Sequence, residues 1–220
     1  MSHDVFSVLD PRTAAVARRL HRANERQLLT VVPNMLAGLL PGRRALDTSA
    51  EFDDKYLALG RGQAAFCYAQ VRALRARTAV EFGTSFGVST LWLAAAVRDN
   101  GGGTVIGTEM VPAKAERAEE HLREAGLAEH VDLRVGDALE TLRHLEGPVD
   151  FLLNDGFPEG ALDILRLVAP TMRPGAVVVT DNIFLRKQYA DYLAWLHEPA
   201  NGFVSVRIPF RGGTEVSVRA

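Results

Sequence analysis

Short apolar runs alternate with helix-length amphipathic segments through most of this chain, and that alternation predicts a parallel sheet with helices on its faces. The runs are Thr78–Phe82, Thr104–Thr108, Val131–Val135, Val149–Asn154 and Ala176–Thr180. Helices are expected between and after them over Ser89–Val97, Ala113–Ala125, Leu139–His144, Gly160–Ala169 and Leu185–Leu196. The last stretch breaks this rhythm. Phe203–Ile208 and Thr214–Arg219 flank a turn at Arg211-Gly212-Gly213, which reads as a β-hairpin and adds two antiparallel strands. The expected fold class is α/β: a doubly wound, mostly parallel seven-stranded sheet, Rossmann-like, with an antiparallel C-terminal hairpin.

Upstream, Asp10-Pro11 has the form of an N-cap followed by proline in the first helical turn. The run Arg12–Val32 then reads as an amphipathic helix, with Pro33 a candidate interruption and Pro41-Gly42 its close. Residues 43–55 read as a loop of mixed charge, and a further helix is expected over Leu59–Ala73. Composition narrows the class. At 220 residues, 47% hydrophobic and 24% charged, the chain suits one folded domain, residues 1–220, rather than a disordered chain. Lys and Arg total 25 against 27 Asp and Glu, a net charge of −2 with no dense basic block, which argues against nucleic acid as a partner. The longest apolar stretch, Leu91–Val97, is far short of the ~20 residues that span a bilayer, so no membrane is expected. Cys67 is the single cysteine and reads as a buried, inert thiol; with no secretory leader pattern, a reducing cytoplasm fits. The six histidines show no HxH or HExxH spacing and read mostly as surface residues, while Trp92 and Trp195 read as core packing.

Candidate chemistry gathers at the ends of the expected strands, where ligands of doubly wound sheets sit. After the first strand comes Glu81-Phe82-Gly83-Thr84-Ser85-Phe86-Gly87. Gly83 and Gly87 let the backbone turn sharply and approach a ligand, but their G-x-x-x-G spacing lacks the middle glycine of a dinucleotide fingerprint. Glu81 is placed to accept a hydrogen bond from an ammonium group or to order the loop; its plainer alternative is a solvated strand-end carboxylate. Glu109, ending the second strand 22 residues after Gly87, matches an acid that takes both ribose hydroxyls. Asp137, after the third strand, can accept from an adenine amino group, cap the helix that follows, or do both. Together these three acids describe an adenosine site.

These residues resemble the class I methyltransferases, and more narrowly the catechol O-methyltransferase-like family. Val80–Ala94 is similar to that family's glycine motif, Val105–Lys114 to its second-strand acid motif, and Val135–Ala138 to its adenine-side motif. The resemblance covers roughly residues 55–220. It implies a Rossmann-like methyltransferase fold, with 56–220 as catalytic core and 1–55 as a helical extension that either caps the acceptor pocket or forms a homodimer contact. It implies S-adenosylmethionine as cofactor, contacted by Glu81, Gly83, Ser85, Gly87, Ser89, Glu109, Asp137 and the neighbouring Asp155, with Ser89 at a helix N-terminus holding the methionine carboxylate.

The fourth and fifth strands end in Asn154-Asp155 and Asp181-Asn182. Asp155, Asp181 and Asn182 form an oxygen-only donor set suited to Mg²⁺ or another divalent cation, and the resemblance implies that they hold it against a hydroxylated small-molecule acceptor. The alternative is that Asp181-Asn182 only opens a turn. One position departs from the family: Pro158 stands where its catechol-specific members carry a lysine. Deprotonation would then fall to a metal-bound hydroxide, Glu159 or Lys187, and catechol itself is put in doubt. Two other classes compete with a metal-assisted O-methyltransferase. A nicotinamide-dependent oxidoreductase would also want Glu109, and a non-catalytic S-adenosylmethionine-binding module would need no intact Asp155, Asp181 and Asn182.

Overall fold

In a computed structural model the chain is described over residues 4–38, 58–184, 187–210 and 212–220, with side chains in the first helix described through Arg26. Seven strands form one sheet: β1 (Thr78–Phe82), β2 (Thr104–Glu109), β3 (Val131–Val135), β4 (Val149–Asn154), β5 (Met172–Thr180), β6 (Phe203–Ile208) and β7 (Thr214–Arg219). Their order is β3-β2-β1-β4-β5-β7-β6. The first five are parallel, while β7 runs antiparallel to both β5 and β6. The expected fold class therefore agrees with the structure, terminal hairpin included; its turn residue Arg211 lies outside the described residues.

Strand periodicity assigns the core. Successive side chains point to opposite faces, so Ala79, Phe151, Leu153, Val177 and Val179 enter one apolar layer and Val80, Leu152, Ala176 and Val178 the other. The first layer packs beneath α1 (Pro11–Gly38), α2 (Arg61–Ala73), α3 (Val88–Asp99) and α4 (Pro112–Ala125), and the second beneath α5 (Ala138–Thr141), α6 (Pro158–Val168) and α7 (Ala190–His197). Residues Val88–Val97 of α3 are buried all round, as a helix wedged between sheet and outer helices must be. Trp92 and Cys67 are core residues.

The structure moves several expected boundaries. Helix α1 continues to Gly38, so Pro33 does not interrupt it. The expected stop at Pro41-Gly42 and the loop over 43–55 lie outside the described residues. Helix α6 starts at Pro158 rather than Gly160, because proline is well suited to the first helical position, where its missing N–H is not needed. The expected helix after β3 shrinks to four residues, and α7 begins at Ala190, not Leu185. Among the described residues two histidines, a type expected mostly at the surface, are buried: His21 accepts from the Trp92 indole Nε1 at 3.1 Å, and His121 Nδ1 lies 2.9 Å from the Phe86 carbonyl. Among the described residues no helix is long and apolar enough to cross a membrane.

At the amino end of the sheet, away from the candidate chemistry, Asp150 ties three elements together. It accepts from the Arg77 and Thr78 backbone N–H groups at 2.7 and 2.9 Å and from Arg173 Nε at 2.5 Å. Burial alone would raise its pKa, but these hydrogen bonds and the Arg173 charge outweigh burial and lower it. A depressed carboxylate contributes stability that is fully present above its unfolded pKa and is lost as pH falls through the folded value. Asp150→Asn should therefore cost about 2 kcal/mol at pH 7, seen as a melting temperature ~4–8 °C lower. In a thermal scan at stepped pH the gap from the parent should close on acidification; a gap constant with pH would show that the charge is not the cause.

Candidate active site

Parallel pairing brings every loop that follows β1 to β5 to one edge of the sheet. Phe82 is in register with Thr108 and Asn154, Glu109 with Val135, and Asn154 with Thr180. The chain runs outward from β1 to β2 and β3, then returns to β4 and β5, so the winding reverses between β1 and β4. That reversal opens a crevice at the carboxyl ends of the two strands. Gly83 sits at it. Its φ is +96°, and a Cβ there would lie 2.8 Å from the Gly156 Cα and 2.9 Å from the Asp155 carbonyl oxygen. The loops after β1 and β4 thus touch backbone to backbone, joined also by the Asp155 N–H donating to the Phe82 carbonyl at 3.1 Å.

The glycine loop is held by two acids with different environments. Glu81 is fully buried and accepts from the Thr84 hydroxyl at 2.9 Å and from the Thr90 hydroxyl, while its other oxygen, Oε1, has no hydrogen-bond partner. Burial raises its pKa, against the nearby Ser89, Thr90 and Thr84 hydroxyls, which lower it. Glu81 is therefore not the solvated strand-end carboxylate considered above; of its expected uses, ordering the loop is the one that the contacts display. Glu109 is half-buried and takes the Ser85 N–H at 2.7 Å on one oxygen and the Val111 N–H at 2.8 Å on the other. This pins Ser85, whose φ of +50° is unusual for a residue with a side chain and whose hydroxyl is buried without a partner. Gly87, at φ +79°, caps α3, and its missing Cβ admits Ala118. Ser89 lies buried in the first turn of α3. On the far side Asp137 caps α5, accepting the Leu139 N–H at 2.9 Å, and is otherwise exposed. Its capping role is present, and the second oxygen stays open.

Across the crevice stand Asp155, Asp181 and Asn182. Burial, then the Asp181 charge, then Glu81, push the Asp155 carboxyl well above the usual carboxylate range. Asp181 is also raised, by burial, against hydrogen bonds from the Asn182 backbone N–H, Thr214 and Gln63. Asn182, at φ +59°, donates from Nδ2 to Asp155 Oδ1 at 3.4 Å. The three expected donors are together. Among the described residues no group of three or more His, Cys, Asp or Glu side chains is placed to hold a metal ion, so this set of two carboxylates and one amide is the candidate. Two large aromatic side chains, each two residues along the chain from one of these donors, are in the open: Phe157 is 56% exposed and Phe184 61%. Glu159 and Lys187, the suggested proton acceptors, are both at the surface.

Sequence reading missed two residues that touch this set. Gln63, in the first turn of α2, donates from Nε2 to Asp181 Oδ1 at 2.6 Å and to the Thr214 hydroxyl at 3.1 Å, and Thr214 donates to the same Oδ1 at 3.1 Å. Locally, Gly60-Arg61-Gly62-Gln63 signals only a helix start, and nothing in it points to a residue 118 positions away. A separate groove of about 400 Å³ lined by His197, Phe203, Ser205, Arg207 and Glu215 contains none of the expected site residues. Its buried carboxylate, Glu215, is already satisfied by His197 at 2.6 Å and Arg207 at 3.1 Å.

Comparison with known proteins bears on this crevice. Residues 80–183, which hold every expected cofactor- and metal-binding residue, match a family model described as a methyltransferase domain. The catechol O-methyltransferase of Mycobacterium tuberculosis is 36% identical over 128 residues, which make up 58% of this chain and 57% of that protein. The chain thus matches less than two thirds of that relative's length. Among solved structures, cofactor-bound Rv0187 from MTB superposes with a TM-score of 0.69 at 28% identity, covering 86% of this chain and 95% of that one. The O-methyltransferase TomG from Streptomyces achromogenes, involved in tomaymycin synthesis and solved in complex with SAM, gives a TM-score of 0.64 at 25% identity, covering 91% and 98%.

Proposed function

We propose that this chain, which belongs to the class I S-adenosylmethionine-dependent methyltransferases of the catechol O-methyltransferase-like kind, moves a methyl group from S-adenosylmethionine to a hydroxyl of a small phenolic or enolic molecule. The observation that carries the reading is the backbone contact at the crevice: the glycine loop at Gly83 abuts Asp155-Gly156, so a donor seated on one lies beside an acceptor seated on the other. We read 1–220 as one methyltransferase domain. Residues 56–220 would be its core, and α1 a cap tied down where Arg12 donates to the Glu124 and Arg123 carbonyls and Arg98 pairs with Asp10.

On the donor side, each Glu109 oxygen spends one lone pair on a backbone N–H and keeps another for a ribose hydroxyl. Asp137 keeps its second oxygen for an adenine amino group. The free N–H groups opening α3, around Ser89, suit a carboxylate. Gly83, Ser85 and Gly87 shape the loop, and Glu81, whose Oε1 has no partner, is the acceptor available to an ammonium group nearby. On the acceptor side, Phe157 and Phe184 offer apolar walls to an aromatic ring. Asp155, Asp181 and Asn182 would hold Mg²⁺ or another divalent cation. They fit it because burial raises both carboxyls and the Asp181 charge raises Asp155 further, a state that a bound positive charge relieves. When bound, such a cation supplies Lewis acidity and a template for a chelating acceptor. With Pro158 serving as the first residue of α6, the exposed Glu159 and Lys187 are the side chains able to take the acceptor proton. Positioning by the two rigid loops supplies most of the acceleration.

Thermal shift with S-adenosylhomocysteine and, separately, NAD tests the donor side. Ligand at 100 times its Kd should stabilise by about 2.7 kcal/mol, ~5–10 °C for a chain of this size; stabilisation by NAD alone would sink the proposal. Methyl transfer to a panel of phenols should fall on addition of EDTA and return with Mg²⁺. Activity indifferent to EDTA removes the cation from the mechanism.

A further inference from the structure

The site as read so far leaves Asp181 unexplained: why should a buried carboxylate at a strand end hold one orientation? Its Oδ1 is claimed twice, by Gln63 Nε2 at 2.6 Å and by the Thr214 hydroxyl at 3.1 Å, and Gln63 also donates to Thr214. The amide orientation is not arbitrary. Gln63 Oε1 accepts the Gly60 N–H at 3.0 Å, closing the first turn of α2, so Nε2 must be the atom that faces the acid. All three side chains are buried: Gln63 is 7% exposed, Asp181 5% and Thr214 1%. Water therefore competes poorly for these bonds, and a closed triangle of donors from α2 and β7 fixes the carboxylate plane.

We propose that Gln63 and Thr214 are positioning residues for the acceptor site: they occupy Oδ1 of Asp181 and fix the orientation in which Oδ2, which keeps a lone pair even when it takes the Asn182 backbone N–H, is the oxygen able to meet a divalent cation. This rests on the reading of Asp181 as a cation-holding residue. It makes α2, an element outside the methyl-donor loop, part of the acceptor machinery, and it assigns β7 of the terminal hairpin a role beyond closing the sheet. An outer hydrogen bond of this kind typically governs metal affinity 10–100-fold.

The test measures Mn²⁺ binding to the full chain by calorimetry and by the electron paramagnetic resonance of the free ion. Variants are Gln63→Met, Thr214→Val and Thr214→Ser, with Asp181→Asn as reference. Binding should be lost in Asp181→Asn and weakened at least ~10-fold in Gln63→Met and Thr214→Val. It should be restored to near the parent value in Thr214→Ser, which keeps the hydroxyl. S-adenosylhomocysteine affinity should not move in any of them, and the methyl-transfer defect of Thr214→Val should appear as a raised KM for the cation with kcat retained. Parent-like Mn²⁺ affinity in Gln63→Met and Thr214→Val, while Asp181→Asn binds none, overturns the brace alone. Equal losses in Thr214→Val and Thr214→Ser overturn it too, because they point to packing. No binding by the parent chain removes Asp181 from a cation site and the brace with it. Should Gln63→Met fail to fold by circular dichroism, the two Thr214 variants decide.

Discussion

Gly83→Ala should abolish stabilisation by S-adenosylhomocysteine and reduce methyl transfer by roughly 10²-fold or more. Two costs coincide at this residue. At φ +96° a side chain is strained by about 1–3 kcal/mol, and the new Cβ would stand 2.8 Å from the Gly156 Cα and 2.9 Å from the Gly156 N and the Asp155 carbonyl oxygen. Those neighbours are backbone, so no rotamer change relieves the clash. The loops after β1 and β4 must part, and the donor and acceptor seats part with them. A melting temperature ~4–10 °C lower should accompany the change. Gly147→Ala is the control: φ is +75°, but nothing lies within 4 Å of the added atom, so only backbone strain is introduced. If Gly83→Ala binds S-adenosylhomocysteine as Gly147→Ala does, loop contact does not govern the donor site.

What could be read from the sequence follows from the range of the forces involved. Strands such as Val149–Asn154 declare themselves because both faces of a central parallel strand are buried, leaving a run that is apolar but for Asp150 and the terminal Asn154. The order of chemistry along the sheet edge was equally readable, since each strand-end acid follows its own strand. Boundaries set by neighbours were less so. Pro33 reads as a break yet α1 continues past it, and Leu139–His144 has helical content yet yields only Ala138–Thr141. Nothing local singles out His21 among histidines expected mostly at the surface, yet it is buried and held by Trp92, 71 positions away. The environment of Glu81 was hidden for the same reason: its burial comes from α3 and from packing of the whole sheet. Gln63 and Thr214 are the extreme case, being 118 and 33 positions from Asp181.

The two sides of the crevice are built on opposite principles. On the donor side the half-buried acid Glu109 takes one backbone N–H on each oxygen, which fixes its position, keeps a lone pair open on each and does not bury its charge deeply. On the acceptor side Asp155 has a single long hydrogen bond, from Asn182 at 3.4 Å, and faces a second carboxylate. The first arrangement is stable as it stands. The second is held in place by the surrounding fold at a cost, which is the pattern expected where a site is organised for a ligand rather than for its own stability.

That contrast makes Asp155→Asn the variant whose activity and stability should move in opposite directions. Methyl transfer should drop by roughly 10²–10³-fold, the usual consequence of removing one preorganised electrostatic group. The ligand-free protein should nevertheless melt higher at pH 8. Burial, Asp181 and Glu81 all raise the Asp155 pKa in the fold. A carboxyl raised above its unfolded value costs stability wherever it is charged in the fold. That cost is fully present above the folded pKa and disappears as pH falls through it toward the unfolded value. Asparagine keeps the shape and removes the charge, so a gain of about 1 kcal/mol, ~2–4 °C, is expected at pH 8 and should vanish on acidification. Saturating Mg²⁺ should erase the difference by stabilising the parent alone, because the cation offsets the same repulsion. A ligand-free Asp155→Asn protein that melts below its parent at pH 8 would mean that Asp155 is satisfied by the fold itself, and the case for a cation at this position would lose its physical basis.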